Sequence, residues 1–160
     1  MENKEEKLEI YEYLLKNNET ITFAESCTGG MLASSFCEIP GVSSVFKGSI
    51  VAYSDEVKIN NLKVKSFTIN EYSAVSSNTA KEMAENAANL FNSDYAIAIT
   101  GYAGPTGGTK EDPVGTFYLG FYCKGRVSAI REYCPGHTRN EVREFACECA
   151  FSRLAEIICV

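Results

Sequence analysis

Residues 94–100 read DYAIAIT, an apolar run whose length suits a β-strand rather than a helix. A strand without polar alternation is expected at the centre of a sheet that is covered on both faces. Residues 73–91 precede it with Ser and Asn caps and place Ala80, Met83 and Ala84 on one face. This pattern predicts a helix whose small side chains allow close packing on the sheet.

The chain after this strand predicts a loop, a hairpin and a helix. Residues 101–113 are rich in Gly and Pro, and residues 114–134 have the pattern of two strands joined at Lys124-Gly125. Residues 142–158 then carry an apolar stripe at helical spacing, which predicts a C-terminal helix.

Before residue 73, periodicity and turn signals predict five further elements. In chain order they are a helix at 4–17, a strand at 21–26, a helix at 27–39, a strand at 43–54 and a short helix at 55–64. The complete order, α-β-α-β-α-α-β-β-β-α, predicts an α/β fold. We expect one three-layer α/β/α domain over residues 1–160, with a mixed, mostly parallel sheet.

The composition excludes several classes of protein. The 160 residues carry 21 acidic and 15 basic side chains, with no Lys/Arg-rich run, so a nucleic-acid partner is not expected. The sequence has no signal-peptide-like or membrane-spanning apolar segment, and its seven cysteines are an odd number. These features predict a cytoplasmic protein with free thiols and no membrane partner. A homodimer or higher homo-oligomer is the default expectation for a small α/β protein.

The segment FAESCTGG, residues 23–30, places Ser26 where a strand should pass into a helix. The Ser26 hydroxyl would then lie at the carboxyl edge of the sheet. The backbone amides of residues 27–30 would point outward at a helix start, where they could bind an oxyanion or a phosphate. The segment therefore predicts a nucleophilic serine beside an anion-binding backbone.

The same segment allows plainer explanations. Ser26 or Thr28 can be a helix N-cap, with Gly29 and Gly30 allowing close packing. Cys27 competes with Ser26 as a nucleophile, although a buried, inert thiol is the commoner situation of a cysteine. The octapeptide alone does not separate these interpretations.

A nucleophilic serine needs a base, and the sequence offers two candidates. His137 is the only histidine, so a Ser-His-Asp triad would depend on it. Lys58 is the second candidate. Its unperturbed pKa of about 10.4 would have to fall towards about 7 to 8, through burial or nearby arginines. The alternative for Lys58 is a solvated side chain paired with Asp55 or Glu56.

Two further features predict a ligand near the same edge. The segment TGYAGPTGG, residues 100–108, lacks the helix that a dinucleotide-binding loop requires, but its backbone can surround a ligand. Arg139 and Arg143 share one face at the start of the last helix, where they favour a phosphate or carboxylate partner unless Glu141 and Glu144 neutralise them. No Cys/His pairs stand at zinc spacing, so no metal is expected.

Taken together, five segments resemble the CinA C-terminal domain family. In the family's order they are AESCTGG, GSIVAYSDEVKINNL, AVSSNTAKEMA, AIAITGYAGPTGGTKEDPVGTFYLGF and TRNEVREFA, within about residues 8–158. The Ser-Cys-Thr-Gly-Gly and Gly-x-Ala-Gly-Pro-x-Gly-Gly segments are specific to this resemblance. Many family members carry an N-terminal domain related to molybdopterin-binding proteins, which this sequence is expected to lack.

The resemblance implies hydrolysis of the carboxamide of nicotinamide mononucleotide (NMN) to nicotinate mononucleotide and ammonia, in pyridine-nucleotide salvage and without a cofactor. It implies Ser26 as the nucleophile, Lys58 as its base and Tyr53 as a residue that orients the base or the amide; His137 has no role. The implied substrate contacts are Thr28, Gly29, Gly30, Thr100, Gly101, Gly104, Arg139 and Arg143. The alternative is a catalytically silent nucleotide-binding or protein-interaction module of the same fold.

Overall fold

The computed structural model describes residues 4–158, which form six α-helices and a five-stranded sheet. The helices are α1 (Lys4–Asn17), α2 (Met31–Phe36), α3 (Asp55–Asn60), α4 (Ser66–Tyr72), α5 (Ser77–Phe91) and α6 (Arg139–Ile158). The strands are β1 (Ile21–Glu25), β2 (Phe46–Val51), β3 (Tyr95–Gly101), β4 (Thr116–Cys123) and β5 (Arg126–Tyr133). None of these helices is long and apolar enough to cross a membrane.

The sheet is mixed, with the strand order β2-β1-β3-β4-β5. Strand β1 is parallel to β2 and to β3, and β4 and β5 add two antiparallel pairings. The β4–β5 hairpin turns at Lys124 and Gly125, whose φ angles of 49° and 92° are those that a two-residue hairpin turn requires. The predicted mixed sheet and its hairpin are confirmed.

Helices cover both faces of the sheet, and β3 shows why its sequence has no polar alternation. Ile97 and Ile99 are wholly buried in a core shared with α1, α2 and α6. Ala96 and Ala98 are wholly buried in the second core, on the α5 side. Because side chains of a strand alternate between faces, one apolar run supplies both cores. The predicted three-layer α/β/α arrangement is confirmed.

Helix α2 begins later than the sequence predicts, at Met31 rather than beside Thr28. Gly29 and Gly30 have φ angles of 57° and 101°, left-handed values that do not fit a right-handed helix. Residues 26–29 instead form a tight turn, in which the Gly29 amide donates to the Ser26 carbonyl at 3.0 Å. The prediction of a helix directly after the strand was wrong; a turn and a six-residue helix follow β1.

Helix α4 is absent from the predicted order, which has two helices rather than three between β2 and β3. Its N-cap residue, Lys65, makes no side-chain capping bond. Instead, Glu82 of α5 accepts a hydrogen bond from the Lys65 amide at 2.9 Å and another from the Thr68 hydroxyl. Since Glu82 lies 17 residues further along the chain, local sequence patterns do not reveal this cap.

The three parallel strands end at the same edge of the sheet. In the pairing register, Glu25 at the end of β1 lies beside Val51 at the end of β2 and beside Ile99 of β3. The segments that follow these strands therefore meet at this edge. In α/β sheets the carboxyl ends of the strands are the usual place for a ligand.

Candidate active site

A cavity of about 620 Å³ opens at the carboxyl edge of the parallel strands. This volume is within the range of small-molecule sites. Five parts of the chain form its wall: the turn after β1, the segment from the end of β2 into α3, α4 with the residues after it, the end of β3 with its loop, and the start of α6. The lining residues are Ser26, Cys27, Tyr53, Asp55, Lys58, Ile69, Asn70, Ser73, Ala74, Val75, Thr100, Gly101, Tyr102, Ala103, Gly104, Thr106 and Arg139.

Ser26 and Lys58 are in direct contact in this cavity. Nζ of Lys58 donates to Oγ of Ser26 at 2.9 Å, across 32 residues of sequence. The Ser26 amide donates to the Ile99 carbonyl at 3.0 Å, which anchors the residue on β3. Lys58 is placed by α3, whose N-cap Ser54 accepts a hydrogen bond from the Val57 amide at 3.2 Å. Two short segments anchored at the sheet thus bring the hydroxyl and the amine together.

The environment of Lys58 favours its neutral form. The residue is only 2% exposed, and Nζ also donates to the Tyr53 carbonyl at 3.0 Å. Burial lowers the pKa of Lys58, and the charges of Asp55 and Cys27 oppose this shift only in part. A buried amine with a lowered pKa in contact with a hydroxyl is suited to act as a general base.

The turn after Ser26 presents two unused backbone amides. The Gly29 amide donates to the Ser26 carbonyl at 3.0 Å, and the Gly30 amide donates to the carboxylate at the end of β1 at 3.2 Å. Within residues 4–158, no oxygen accepts a hydrogen bond from the amides of Cys27 and Thr28. Cys27 lines the cavity, so its amide, rather than those of a helix start, is the donor available to an oxyanion next to the Ser26 hydroxyl. Thr28 is wholly buried, so its amide does not reach the cavity.

Arg139, Tyr53 and the end of β3 meet across the cavity. The Arg139 guanidinium donates to the Gly104 carbonyl at 2.6 Å and to the Tyr53 hydroxyl at 2.8 Å. Thr100 and Gly101, at the end of β3, also line the cavity. The structure therefore brings together most of the residues that the sequence predicted, with Tyr53 contacting Lys58 through its carbonyl and Arg139 through its hydroxyl.

Four predicted substrate contacts, Thr28, Gly29, Gly30 and Arg143, are not part of the cavity wall. Arg143 instead donates to the carbonyls of Cys27 and Thr28, at 2.9 and 3.1 Å. The Thr28 side chain is wholly buried. Thr28, Gly29 and Gly30 belong to the segment between Ser26 and α2, and Arg143 contacts that segment.

The sequence motifs did not predict that α4 forms part of the cavity wall, and they did not single out Glu25. Ile69 and Asn70 of α4 line the cavity, and the Thr100 hydroxyl donates to the Ala74 carbonyl at 2.8 Å, which ties the segment after α4 to β3. No local sequence motif predicts these contacts. For Glu25 a signal existed, since an acidic residue at the end of an otherwise buried strand requires hydrogen-bond partners.

The other candidate groups are poorly placed for chemistry. Cys27 lines the cavity, but burial raises the pKa of its thiol to about 11 despite the nearby positive charge of Arg143, so the thiolate is scarce near neutral pH. The His137 side chain is 53% exposed and lies outside the cavity wall, 3.7 Å from a Glu141 oxygen. In the described part of the chain, no group of three His, Cys, Asp or Glu residues could hold a metal ion.

The fold and the site define a class of protein: a three-layer α/β domain with a Ser-Lys pair at the carboxyl edge of its parallel strands. The chain belongs to the CinA C-terminal domain family, whose model matches residues 3–158. The resemblance predicted from the sequence motifs is thereby confirmed.

Curated relatives include CinA-like proteins of Fervidobacterium nodosum and Petrotoga mobilis. They are 53% and 40% identical to this chain, over 72% and 95% of its length. The chain spans only 28% and 38% of the length of these two relatives.

Solved structures of the family share the fold. A competence-damaged protein (CinA) superfamily protein from Klebsiella pneumoniae has a TM-score of 0.93 and 33% identity, and the match covers 99% of both chains. A competence/damage inducible protein from Agrobacterium tumefaciens has a TM-score of 0.91 and 33% identity, over 95% of this chain and 93% of its own.

Proposed function

We propose that this chain hydrolyses the carboxamide of NMN, giving nicotinate mononucleotide and ammonia. The observation that carries the proposal is the 2.9 Å contact between Nζ of Lys58 and Oγ of Ser26, inside a cavity large enough for a mononucleotide. Resemblance to the family supports the choice of substrate. The geometry supports the type of reaction, which is acyl transfer to a serine.

The first half of the reaction forms an acyl-enzyme. When the Lys58 amine is neutral, the same 2.9 Å contact lets the Ser26 hydroxyl donate its proton to Nζ. Oγ then attacks the carboxamide carbon, and the Cys27 amide donates to the oxygen that becomes negative. The carbon–nitrogen bond breaks, Lys58 returns the proton to the departing nitrogen, and ammonia leaves.

The second half hydrolyses the ester on Ser26. Lys58 is neutral again after ammonia leaves, and it takes a proton from a water molecule that attacks the ester carbon. The ester bond then breaks, the proton moves from Lys58 to Oγ of Ser26, and nicotinate mononucleotide is released. One base therefore serves both halves, as microscopic reversibility allows.

The charges around the cavity suit an anionic ligand. Lys58 and Arg139 are the two basic residues of its wall, and Arg139 lies at the exposed side. With Lys58 engaged in proton transfer, Arg139 is the group available for the 5′-phosphate, which guanidinium binds well. Binding would exchange its present hydrogen bonds to Gly104 and Tyr53 for bonds to phosphate oxygens.

Ammonia release from NMN by the purified chain tests the proposal. We expect turnover by the unchanged chain and by Ser128→Ala, an exposed serine on β5, and none by Ser26→Ala. Equal rates in Ser26→Ala and the unchanged chain would refute the mechanism. A rise in melting temperature with NMN but no ammonia would favour the catalytically silent nucleotide-binding module.

A further inference from the structure

Glu25 is a buried carboxylate held by an unusual number of hydrogen bonds. It is wholly buried, and in the described chain no cation lies within ion-pair distance of it. Its Oε1 accepts from the Thr28 hydroxyl at 2.9 Å and from the amides of Gly30 and Leu32 at 3.2 and 2.8 Å. Its Oε2 accepts from another amide of α2 at 3.2 Å and from a hydroxyl of β2 at 2.9 Å.

Arg143 supplies a second set of bonds to the same turn. Its Nε donates to the Cys27 carbonyl at 2.9 Å, and its Nη2 donates to the Thr28 carbonyl at 3.1 Å. Nη1 donates to the Asn140 side chain at 2.9 Å, which steadies the guanidinium on α6. Glu25 therefore holds the side chain of Thr28, and Arg143 holds the backbone on either side of it.

These bonds fix the direction of the Cys27 amide, the unused donor that borders the cavity. In a trans peptide the carbonyl and the amide of the next residue point in opposite directions. The Ser26 carbonyl is bound by the Gly29 amide, which orients the Cys27 amide. Arg143 binds the Cys27 carbonyl, which fixes the other side of the same residue.

We infer that Glu25 and Arg143 are positioning residues: they hold the turn so that the Ser26 hydroxyl and the Cys27 amide address one carbonyl group together. Neither residue lines the cavity, so neither is a catalytic residue. This positioning role rests on the proposed function. It adds that two side chains outside the cavity preorganise the oxyanion donor.

A positioning role predicts a particular kinetic signature. Backbone donors to an oxyanion act mainly in the transition state, so a disturbed turn lowers kcat more than it raises KM. Misplacement of reacting groups by a fraction of an ångström to 1 Å is enough for a 10- to 100-fold effect, roughly. If the two residues served only stability, their substitution would lower the melting temperature, and kcat would not fall more than KM rises.

Glu25→Gln tests the carboxylate, because its amide group cannot accept on both sides. The matched control is Glu19→Gln, a second buried acid just before β1, which pairs with Lys124 at the other edge of the sheet. We would measure kcat and KM for NMN, the melting temperature, and the rate at which a fluorophosphonate probe labels Ser26. In that labelling, the Ser26 oxygen bonds to phosphorus, its proton passes to Lys58 and fluoride leaves, so the reaction needs the oxyanion donor but not NMN.

Arg143→Lys tests the guanidinium and provides a second route if Glu25→Gln fails to fold. Lysine keeps the charge but cannot hold two carbonyls in the same fork. Its control is Arg153→Lys on the same helix, where the arginine pairs with Glu132 and Glu156. The measurements are the same as for the Glu25 variant.

We expect the labelling rate and kcat to fall by about 10-fold or more in Glu25→Gln and Arg143→Lys. In both control variants we expect each quantity to fall by less than about 2-fold. Equal labelling rates in all four variants would overturn the positioning role, and so would an unchanged chain that the probe does not label. If NMN gives no ammonia while Ser26 is labelled in the expected pattern, the proposed function fails and the positioning role stands.

Discussion

The burial of Lys58 affects both the reactivity and the stability of the chain. In the folded state its pKa lies below the ordinary value of 10.5, because the charged amine is poorly solvated there. Between the folded and unfolded pKa values, the unfolded chain binds more protons at this site. The contribution of Lys58 to the free energy of unfolding therefore rises as the pH increases through that window. The same shift supplies Ser26 with a neutral base at lower pH than an exposed lysine would.

Lys58→Arg is expected to slow ammonia release from NMN by about 100- to 10,000-fold, because guanidinium has no neutral form at accessible pH. In the unchanged chain, kcat/KM should rise with pH as Lys58 loses its proton, with a midpoint below 10.5. Initial rates over a pH series measure both effects. Lys81→Arg, at an exposed position of α5, is the control and should keep the rate and the profile. Activity in Lys58→Arg would assign the base to another group.

At the scale of elements, two of the three short helices near the site, α2 and α4, depend on carboxylates from other elements. Helices α2 and α4 have six and seven residues, too few to be stable through their own hydrogen bonds. Glu25 of β1 caps α2, and Glu82 of α5 caps α4. Longer helices carry their own periodic apolar stripe, which is why α1 was predicted with its observed bounds and α4 was missed.

Glu82→Ala should loosen α4 and weaken substrate binding. The change removes the acceptor of the Lys65 amide and the Thr68 hydroxyl, and loss of such a cap costs about 0.5 to 2 kcal/mol in the free energy of unfolding. Because Ile69 of α4 lines the cavity, KM for NMN should rise more than kcat falls. Urea unfolding and steady-state kinetics measure the two effects. Glu85→Ala, at an exposed position of α5, is the control; an equal loss of stability there would contradict the capping role.

At the scale of the whole molecule, the cavity exists only after distant parts of the chain have packed together. Arg139 at the start of α6 donates to Gly104 in the loop after β3, 35 residues away, and to Tyr53 after β2, 86 residues away. The chain as a whole has a formal charge of -6, so an anionic ligand must be attracted by local rather than net charge. The basic residues of the cavity wall are Arg139 and Lys58, and Asp55 is its acidic residue. With Lys58 neutral, Arg139 is the group of the wall that can attract an anion.

Arg139→Gln should weaken NMN binding by about 10- to 100-fold, the usual loss for a hydrogen-bonded charged pair. The measurement uses the Ser26→Ala background, in which NMN is not consumed, and compares NMN with nicotinamide riboside, which lacks the phosphate. We expect NMN to raise the melting temperature more than the riboside does, and we expect Arg139→Gln to remove this difference. Arg126→Gln, at an exposed position of β5, is the control. A preserved difference in Arg139→Gln would place the phosphate elsewhere.

The layers of the fold and the hairpin could be predicted from the sequence alone, and its motifs also predicted Ser26 and Lys58 as the candidate reactive pair. Apolar runs and helical stripes act over neighbouring residues, so DYAIAIT was recognisable as a buried strand and Ser26 as the residue at a strand end. The motifs around Ser26 and Lys58 supplied the family, although neither residue alone favoured a catalytic role.

The tertiary structure was needed to show which backbone amide after Ser26 borders the cavity, which arginine lines it and how α4 is held. The Cys27 amide borders the cavity without an oxygen partner in residues 4–158, because Gly29 and Gly30 turn the chain before α2 begins. Arg143 contacts that turn and not the cavity wall, a difference that helical spacing cannot show. The turn depends on two left-handed glycines, which the helical pattern did not show. The position of Arg143 and the cap of α4 depend on hydrogen bonds between residues far apart in the chain, whose partners are chosen by packing rather than by local sequence.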